Sequence, residues 1–225
     1  GRRRARQVSV IRRVRPYLTR GDVAFTALAV LVIGSPALFT NNGFAPDFTN
    51  HLWLVWLQDR AISAHLAPTY FVDASRIGVF YPLFMFYGGT LYALVGAVAA
   101  LLGGLVVAAY VGSILLAVLA AYGGFVWLAR QLGVRCWMAH APAVTYAGSA
   151  YYISNLYGRG AWPEFVAASA IPLVLASGWR VARSPRGAFA PSILLVFSVD
   201  VLAGSHAISL VLATITLGVG MVALR

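Results

Sequence analysis

The chain has no lysine and only six acidic residues in 225 positions; its 17 basic residues are all arginine. The arginine bias is attributable to GC-rich coding more than to a chemical need. Charged residues make up 10% of the chain and hydrophobic ones 60%, against about 25% charged in ordinary soluble domains. That balance excludes an ordinary soluble domain. The single cysteine, Cys136, excludes an internal disulfide and a cysteine metal cage, and its expected role is packing at a cytoplasmic helix start. There is no P-loop, no glycine-rich dinucleotide fingerprint and no HExxH. No small-residue cleavage site follows a short apolar core, so a cleavable signal peptide is a poor fit. Neither a soluble domain nor a short-period repeat is apparent. The chain starts on Gly1 and ends on Arg225 directly after an apolar run, so it is expected to be part of a longer protein, truncated at the C-terminus.

What is present is a series of apolar runs, several near the roughly 20 residues needed to cross a bilayer. The expected class is all-α, a polytopic helical membrane protein. Arg2, Arg3, Arg4, Arg6, Arg12, Arg13, Arg15 and Arg20 crowd the first 20 residues. The positive-inside rule makes this segment, 1–21, cytoplasmic. It suits anionic lipid head groups, and the adjoining membrane helix argues against nucleic acid as a partner.

A first span is expected over Val23 to Thr40, exiting outward into a first outer loop, 41–104. Within it Asp47 to Leu66 reads as an amphipathic helix whose Trp53 and Trp56 suit an interface. Val79 to Gly103 is long and apolar enough to span. Placing it on the outer side instead, as a horizontal or re-entrant helix pair, puts both later arginine loops inside, which the positive-inside rule prefers. Spans then follow at Leu105 to Leu128, Trp137 to Tyr157, Phe165 to Ala182, Ala188 to Ala203 and Ala207 to Leu224. The second outer loop is 158–164. In total, about six spans and outer-face juxtamembrane helices form a membrane module over 22–225.

This topology gathers the rare polar groups on one membrane face: Asp47, His51, Asp59, His65, Asp73, Arg76, Arg159, Glu164, Asp200 and His206. Asp47 and His51, spaced i, i+4, share one helix face. Such a pair can bind a metal, orient a phosphate or accept a proton; alternatively it is a helix cap and an interfacial histidine. Asp47 and an acid of the second loop, Glu164, could share a divalent cation or divide the roles of base and positioning group. Glu164 after Pro163 equally suits a helix N-terminus. Arg159 suits a phosphate or snorkels to head groups. Asp200, inside an apolar run, is costly there unless it reaches the interface. His206 either contacts a ligand or caps a turn, and His140 is expected to be a packing residue. The tyrosines at 146, 151, 152 and 157 read mostly as belt and packing, though some could line an acceptor groove.

Asp47-Phe-Thr-Asn-His-Leu, Tyr81-Pro-Leu-Phe-Met-Phe-Tyr87, Leu128-Ala-Arg-Gln-Leu-Gly133, Arg159-Gly-Ala-Trp-Pro-Glu164 and Ile171-Pro-Leu-Val-Leu occur in that order. Over about residues 20–210 the series is similar to a bacterial integral-membrane family labelled "6-pyruvoyl-tetrahydropterin synthase-related". Nothing here matches the zinc-histidine site of the soluble synthase. That membrane family in turn resembles the GT-C superfamily of glycosyltransferases. The resemblance implies a GT-C-like fold in the plasma (inner) membrane, with the active site on its outer face. It implies a polyprenyl-phosphate sugar donor and a cell-envelope glycan, lipid or protein acceptor. Asp47 matches the first-loop carboxylate that serves as base or metal ligand. His51 matches a histidine common near it, and Glu164 an acidic position of the second loop. Donor phosphate would fall to Arg159 or Arg76. Tyr81, Phe84, Tyr87, Trp162 and His206 would line the lipid or acceptor groove. No Asp-x-Asp pair stands in the first loop, so a divalent cation (Mg or Mn) remains an option rather than a requirement. The competing classes are a secondary transporter, whose acids belong at mid-membrane, and a non-catalytic assembly partner.

Overall fold

A computed structural model describes residues 18–39, 47–74, 79–183 and 189–223. Helix α1 covers Arg20–Phe39. Thr19 and Asp22 open it reciprocally: the Thr19 N–H donates to Asp22 Oδ2 at 2.7 Å and the Asp22 N–H to Thr19 Oγ1 at 3.2 Å, a capping box. Helix α2, Phe48–His65, ends where Leu66 turns left-handed. Strands β1 (Val72–Ala74) and β2 (Val79–Tyr81) form a short antiparallel hairpin with Asp73 opposite Phe80. Two short helices follow, α3 (Leu83–Phe86) and α4 (Gly89–Leu101). A turn through Gly103 and Gly104, both at positive φ, leads into α5, Val106–Gln131.

The stretch from 136 to 158 is not one helix. It consists of a 3-10 turn (Cys136–His140), α6 (Ala141–Ala147), α7 (Ala150–Ile153) and a π-helical turn (Ser154–Gly158). Pro142 sits in the first turn of α6, and Ser149 opens a new helix by accepting the Tyr152 N–H at 3.3 Å. Helices α8 (Trp162–Arg183), α9 (Phe189–Ser205) and α10 (Ala207–Ala223) complete the bundle.

Contacts set the directions. Trp162 Nε1 donates to Ser113 Oγ at 3.1 Å, and Gln131 Nε2 donates to the Ala176 carbonyl at 2.9 Å. Helices α5 and α8 therefore run the same way. A Cβ on Gly124 would lie 2.9 Å from both the Leu173 nitrogen and Pro172 Cβ, so only glycine lets the two backbones come this close. The broken segment returns between them: His140 touches Tyr122, and the Tyr157 hydroxyl donates to the Ile33 carbonyl at 2.6 Å. Helix α9 comes back alongside α8, and its end at Gly204 abuts Thr90. One end of the bundle thus carries Arg20, Arg130, Arg180 and Arg183, the basic end. The other carries Tyr92, Tyr110 and Trp162, the aromatic end.

The all-helical expectation holds apart from the hairpin. Among the described residues three helices, α1, α5 and α8, are long and apolar enough to cross a membrane, consistent with a membrane protein. Six spans are not seen as six such helices. The expected span Trp137 to Tyr157 is broken by Pro142 and the Gly148–Ser149 turn. Helices α9 and α10 have 17 residues each. Val79 to Gly103 divides at Pro82 and Gly88 into β2, α3 and α4, leaving a helix of 13 residues packed on α2.

At the basic end His140 is more than a packing residue. Its Nε2 lies 3.0 Å from Asp22 Oδ1 and its Nδ1 3.1 Å from the Tyr122 hydroxyl. Arg130 also grips Asp22, Nη2 to Oδ1 at 2.6 Å and Nε to Oδ2 at 3.1 Å. A buried acid is tolerable only when paired in this way.

Candidate site at the aromatic end

Helix α2 starts at Asp47, whose backbone carbonyl accepts the His51 N–H at 3.0 Å. Its side chain makes no capping bond and is exposed. The simple cap reading thus fails for Asp47, whose carboxylate meets no hydrogen-bond partner among the described residues.

His51, one turn on, points inward and is buried. Its Nε2 is 2.7 Å from the Gly160 carbonyl and its Nδ1 2.6 Å from the Tyr92 hydroxyl. A carbonyl can only accept, so Nε2 carries the proton and Nδ1 accepts the Tyr92 O–H. Both nitrogens of the neutral ring are satisfied. Burial pushes its pKa below the usual 6.5, with the Gly160 bond and the Asp47 charge opposing. His51 therefore joins the first loop to the second, holding the Gly160 turn against α4.

Trp162 corrects the expectation of a groove lining, whereas Phe84, though largely buried, does line a cavity of about 460 Å³ with Ile62, Thr69, Tyr70 and Thr90. Trp162 is fully buried, with ring centroids 4.8 Å from Tyr110, 5.3 Å from Tyr92 and 5.8 Å from His51. Phe84 is buried against Tyr92 at 5.5 Å. Both build the floor of the site, because an indole and a phenyl ring offer the largest apolar area to a core. Tyr81 is exposed and Tyr87 half-buried. His206 caps α10: its Nδ1 accepts the Ser209 N–H at 3.3 Å. Its ring meets Tyr87 edge-on at 6.3 Å.

The second loop adds a charged group. Glu164 lies in the first turn of α8, as expected, and accepts the Tyr151 hydroxyl. Its other oxygen is 3.5 Å from Arg159 Nη1, which also donates to Asn155 Oδ1 at 3.3 Å. Arg159 is 64% exposed and Glu164 16%, so the arginine reaches outward while the acid anchors it. The π-helical turn places Asn155 and Arg159 together; such turns often occur at functional sites. Asn155 is buried and its Nδ2 has no acceptor.

Tyr87 feels the charges of both loops. Its hydroxyl pKa is raised, first by burial and then by the charges of Asp47 and Glu164, with Arg159 opposing. The acids of both loops and the second-loop arginine therefore act on one hydroxyl, from positions far apart in sequence. Among the described residues no three of His, Cys, Asp and Glu converge as a metal cluster. Asp59 is buried on α2 with Oδ1 unpartnered, and His65 is exposed at its end. Arg76 and the basic segment 1–17 lie outside the described residues.

Sequence reasoning missed Tyr92 and Asn155, and read Tyr151 mostly as belt and packing. Nothing in the local sequence marks them, since their roles arise only when α4, the π-helical turn and α8 meet. Beneath the aromatic floor an apolar crevice of about 420 Å³ opens between α4, α5, α8 and α9, lined by Leu94, Val98, Leu116, Leu173 and Val201 among others. No family model, curated protein or solved structure matches the chain.

Proposed function

We propose that the chain is the membrane module of a glycosyltransferase of GT-C-like fold. It moves a sugar from a polyprenyl-phosphate donor to an acceptor hydroxyl at the aromatic end, on the outer face of the plasma membrane. The observation that supports this reading is the 2.7 Å bond from His51 to the Gly160 carbonyl, which holds the helix opened by Asp47 against the loop that carries Arg159 and Glu164. An exposed carboxylate at the start of the first-loop helix and an exposed cation on the second loop match what glycosyl transfer from a phosphate requires.

The exposed Asp47 accepts the proton of the acceptor hydroxyl. The hydroxyl oxygen attacks the anomeric carbon as the bond to the phosphate oxygen breaks, inverting that centre. The bonding electrons leave with the polyprenyl phosphate, whose charge Arg159 stabilises. Glu164 and Asn155 orient Arg159; His51 acts as a positioning residue for both loops. A divalent cation, where used, would be held by Asp47 and Glu164 and completed by phosphate and water, adding Lewis-acid stabilisation of the leaving group. The apolar crevice between α4, α5, α8 and α9 suits the lipid chain.

The test is transfer by purified full-length protein supplied with radiolabelled polyprenyl-phosphate sugars, wild type beside Asp47→Asn. Loss of about 100-fold or more in the variant, the scale of a missing general base, supports the reading. Equal transfer in both removes Asp47 from the chemistry. No transfer or donor hydrolysis across a broad donor and acceptor set removes the glycosyltransferase reading itself.

A further inference from the structure

Helix α9 shows an unusual face. Phe189, Ile193 and Val196 are exposed at helical spacing, and the next residue on that stripe is Asp200, also exposed. Ser192 and Phe197 flank them, and the six residues line a shallow cavity of about 500 Å³. Among the described residues Asp200 meets no hydrogen-bond or ion-pair partner. It stands five residues before Ser205, the end of the helix, or about 7 Å below the aromatic end. Helix α9 packs along α8, one of the three helices able to span a membrane. A carboxylate on a lipid-facing stripe at that depth is expensive, and ionisable groups in such segments almost always face protein and pair.

A second copy of this chain meeting the stripe two-fold does not supply the missing partner. Copies share one orientation in the bilayer, so a two-fold contact through this stripe sets Asp200 against Asp200. The cations on the candidate spans, Arg20, Arg130, Arg180 and Arg183, all sit at the opposite end. Arg159, at the aromatic end, is occupied by Glu164 and Asn155.

We propose that this stripe of α9 is the docking face for a membrane-spanning helix of a separate polypeptide that carries an arginine or lysine near its end on the same membrane side. Phe189, Ile193, Val196 and Phe197 supply the apolar contact. Asp200 supplies register and charge selectivity, and Ser192 is small enough for close approach. The inference does not rest on the glycosyltransferase reading, because it uses no residue of that site.

The experiment reconstitutes the full-length protein in phosphatidylcholine vesicles and adds synthetic leucine–alanine membrane helices carrying a dansyl group. The helices differ at one position, about 7 Å from the matching interface: Arg, Leu or Glu. Energy transfer from the protein's tryptophans reports association. The Arg helix is expected to associate at roughly ten-fold lower peptide-to-lipid ratio than the Leu helix, the scale of a buried polar contact between membrane helices. The Glu helix should be weakest. Asp200→Asn should erase most of the Arg preference, and Asp200→Arg should transfer it to the Glu helix. Equal association of the Arg and Leu helices with the wild type overturns the proposal. So does an Arg preference that survives Asp200→Asn. Absence of any association with the full-length protein overturns it too, since the face would then already be covered by the protein's own chain.

Discussion

Asp22 and Arg130, 108 positions apart, meet in a two-pronged ion pair at 2.6 and 3.1 Å, with the carboxylate almost wholly buried. The pair fastens the start of α1 to the end of α5, and His140 adds the start of the broken segment. Three crossings are tied at one point of the basic end. Breaking a buried pair from one side strands a charge, which costs far more than the intact pair contributes.

Asp22→Ala should therefore lower unfolding free energy in detergent by about 3 kcal/mol, because it strands Arg130. Asp22→Ala combined with Arg130→Met should cost less than the sum of the two single changes. His140→Phe keeps the ring but loses two hydrogen bonds, and should cost about 1–2 kcal/mol. Thermal or denaturant unfolding of the four variants checks the ordering. Additive losses for Asp22 and Arg130 would show that the pair is not energetically coupled.

His51 makes stability depend on pH. Its folded pKa lies below the unfolded 6.5, so the unfolded chain takes up the proton first as pH falls. The contribution is fully present above about pH 6.5 and declines as pH drops below it towards the folded value. The melting temperature should fall between pH 7.5 and 5, and His51→Gln should flatten that decline. An unchanged slope in the variant would remove His51 as its source.

Gly124 is a packing constraint, not a turn. Gly124→Val places Cβ where Pro172 and the Leu173 nitrogen already sit. Forcing apart well-packed helices costs about 1–3 kcal/mol. Gly112→Ala, on the same helix with nothing within 4 Å of the added Cβ, should be close to neutral. The contrast is readable from melting temperatures in one detergent.

Arg159 and Glu164 divide their work. Arg159→Ala should weaken donor use by roughly ten-fold or more, the scale of a charge-assisted hydrogen bond, with Arg159→Lys partly restoring it. Glu164→Gln keeps the Tyr151 bond but loosens Arg159, and should lower transfer less than Asp47→Asn does. Steady-state kinetics against donor concentration separate these effects. A Glu164→Gln loss as large as that of Asp47→Asn would move the base to the second loop.

Much of the organisation was legible because membrane crossing imposes length and hydropathy on each segment by itself. The runs for α1, α5 and α8, the amphipathic α2 and the acid opening α8 follow from local rules of that kind. The interruption of 136–158 was less legible: Pro142 and the Gly148–Ser149 pair are weak breakers whose effect depends on what packs beside them. Asp22, one of six acids, could have been suspected, since the adopted topology puts it on the same side as Arg130 and His140.

From the sequence alone came the helical class, the approximate positions of α1, α5 and α8, and the start of α2 at Asp47. Those are properties of a stretch of chain in its solvent, set by backbone hydrogen bonding and side-chain transfer energy. Only the tertiary structure decided that His51 turns inward to Tyr92 and Gly160, that Asp22 answers Arg130, that Trp162 is floor rather than groove, and that Asp200 stands without a partner among the described residues. Each of those depends on contact between residues far apart in the chain, and spacing along one helix carries no information about which neighbour will face it.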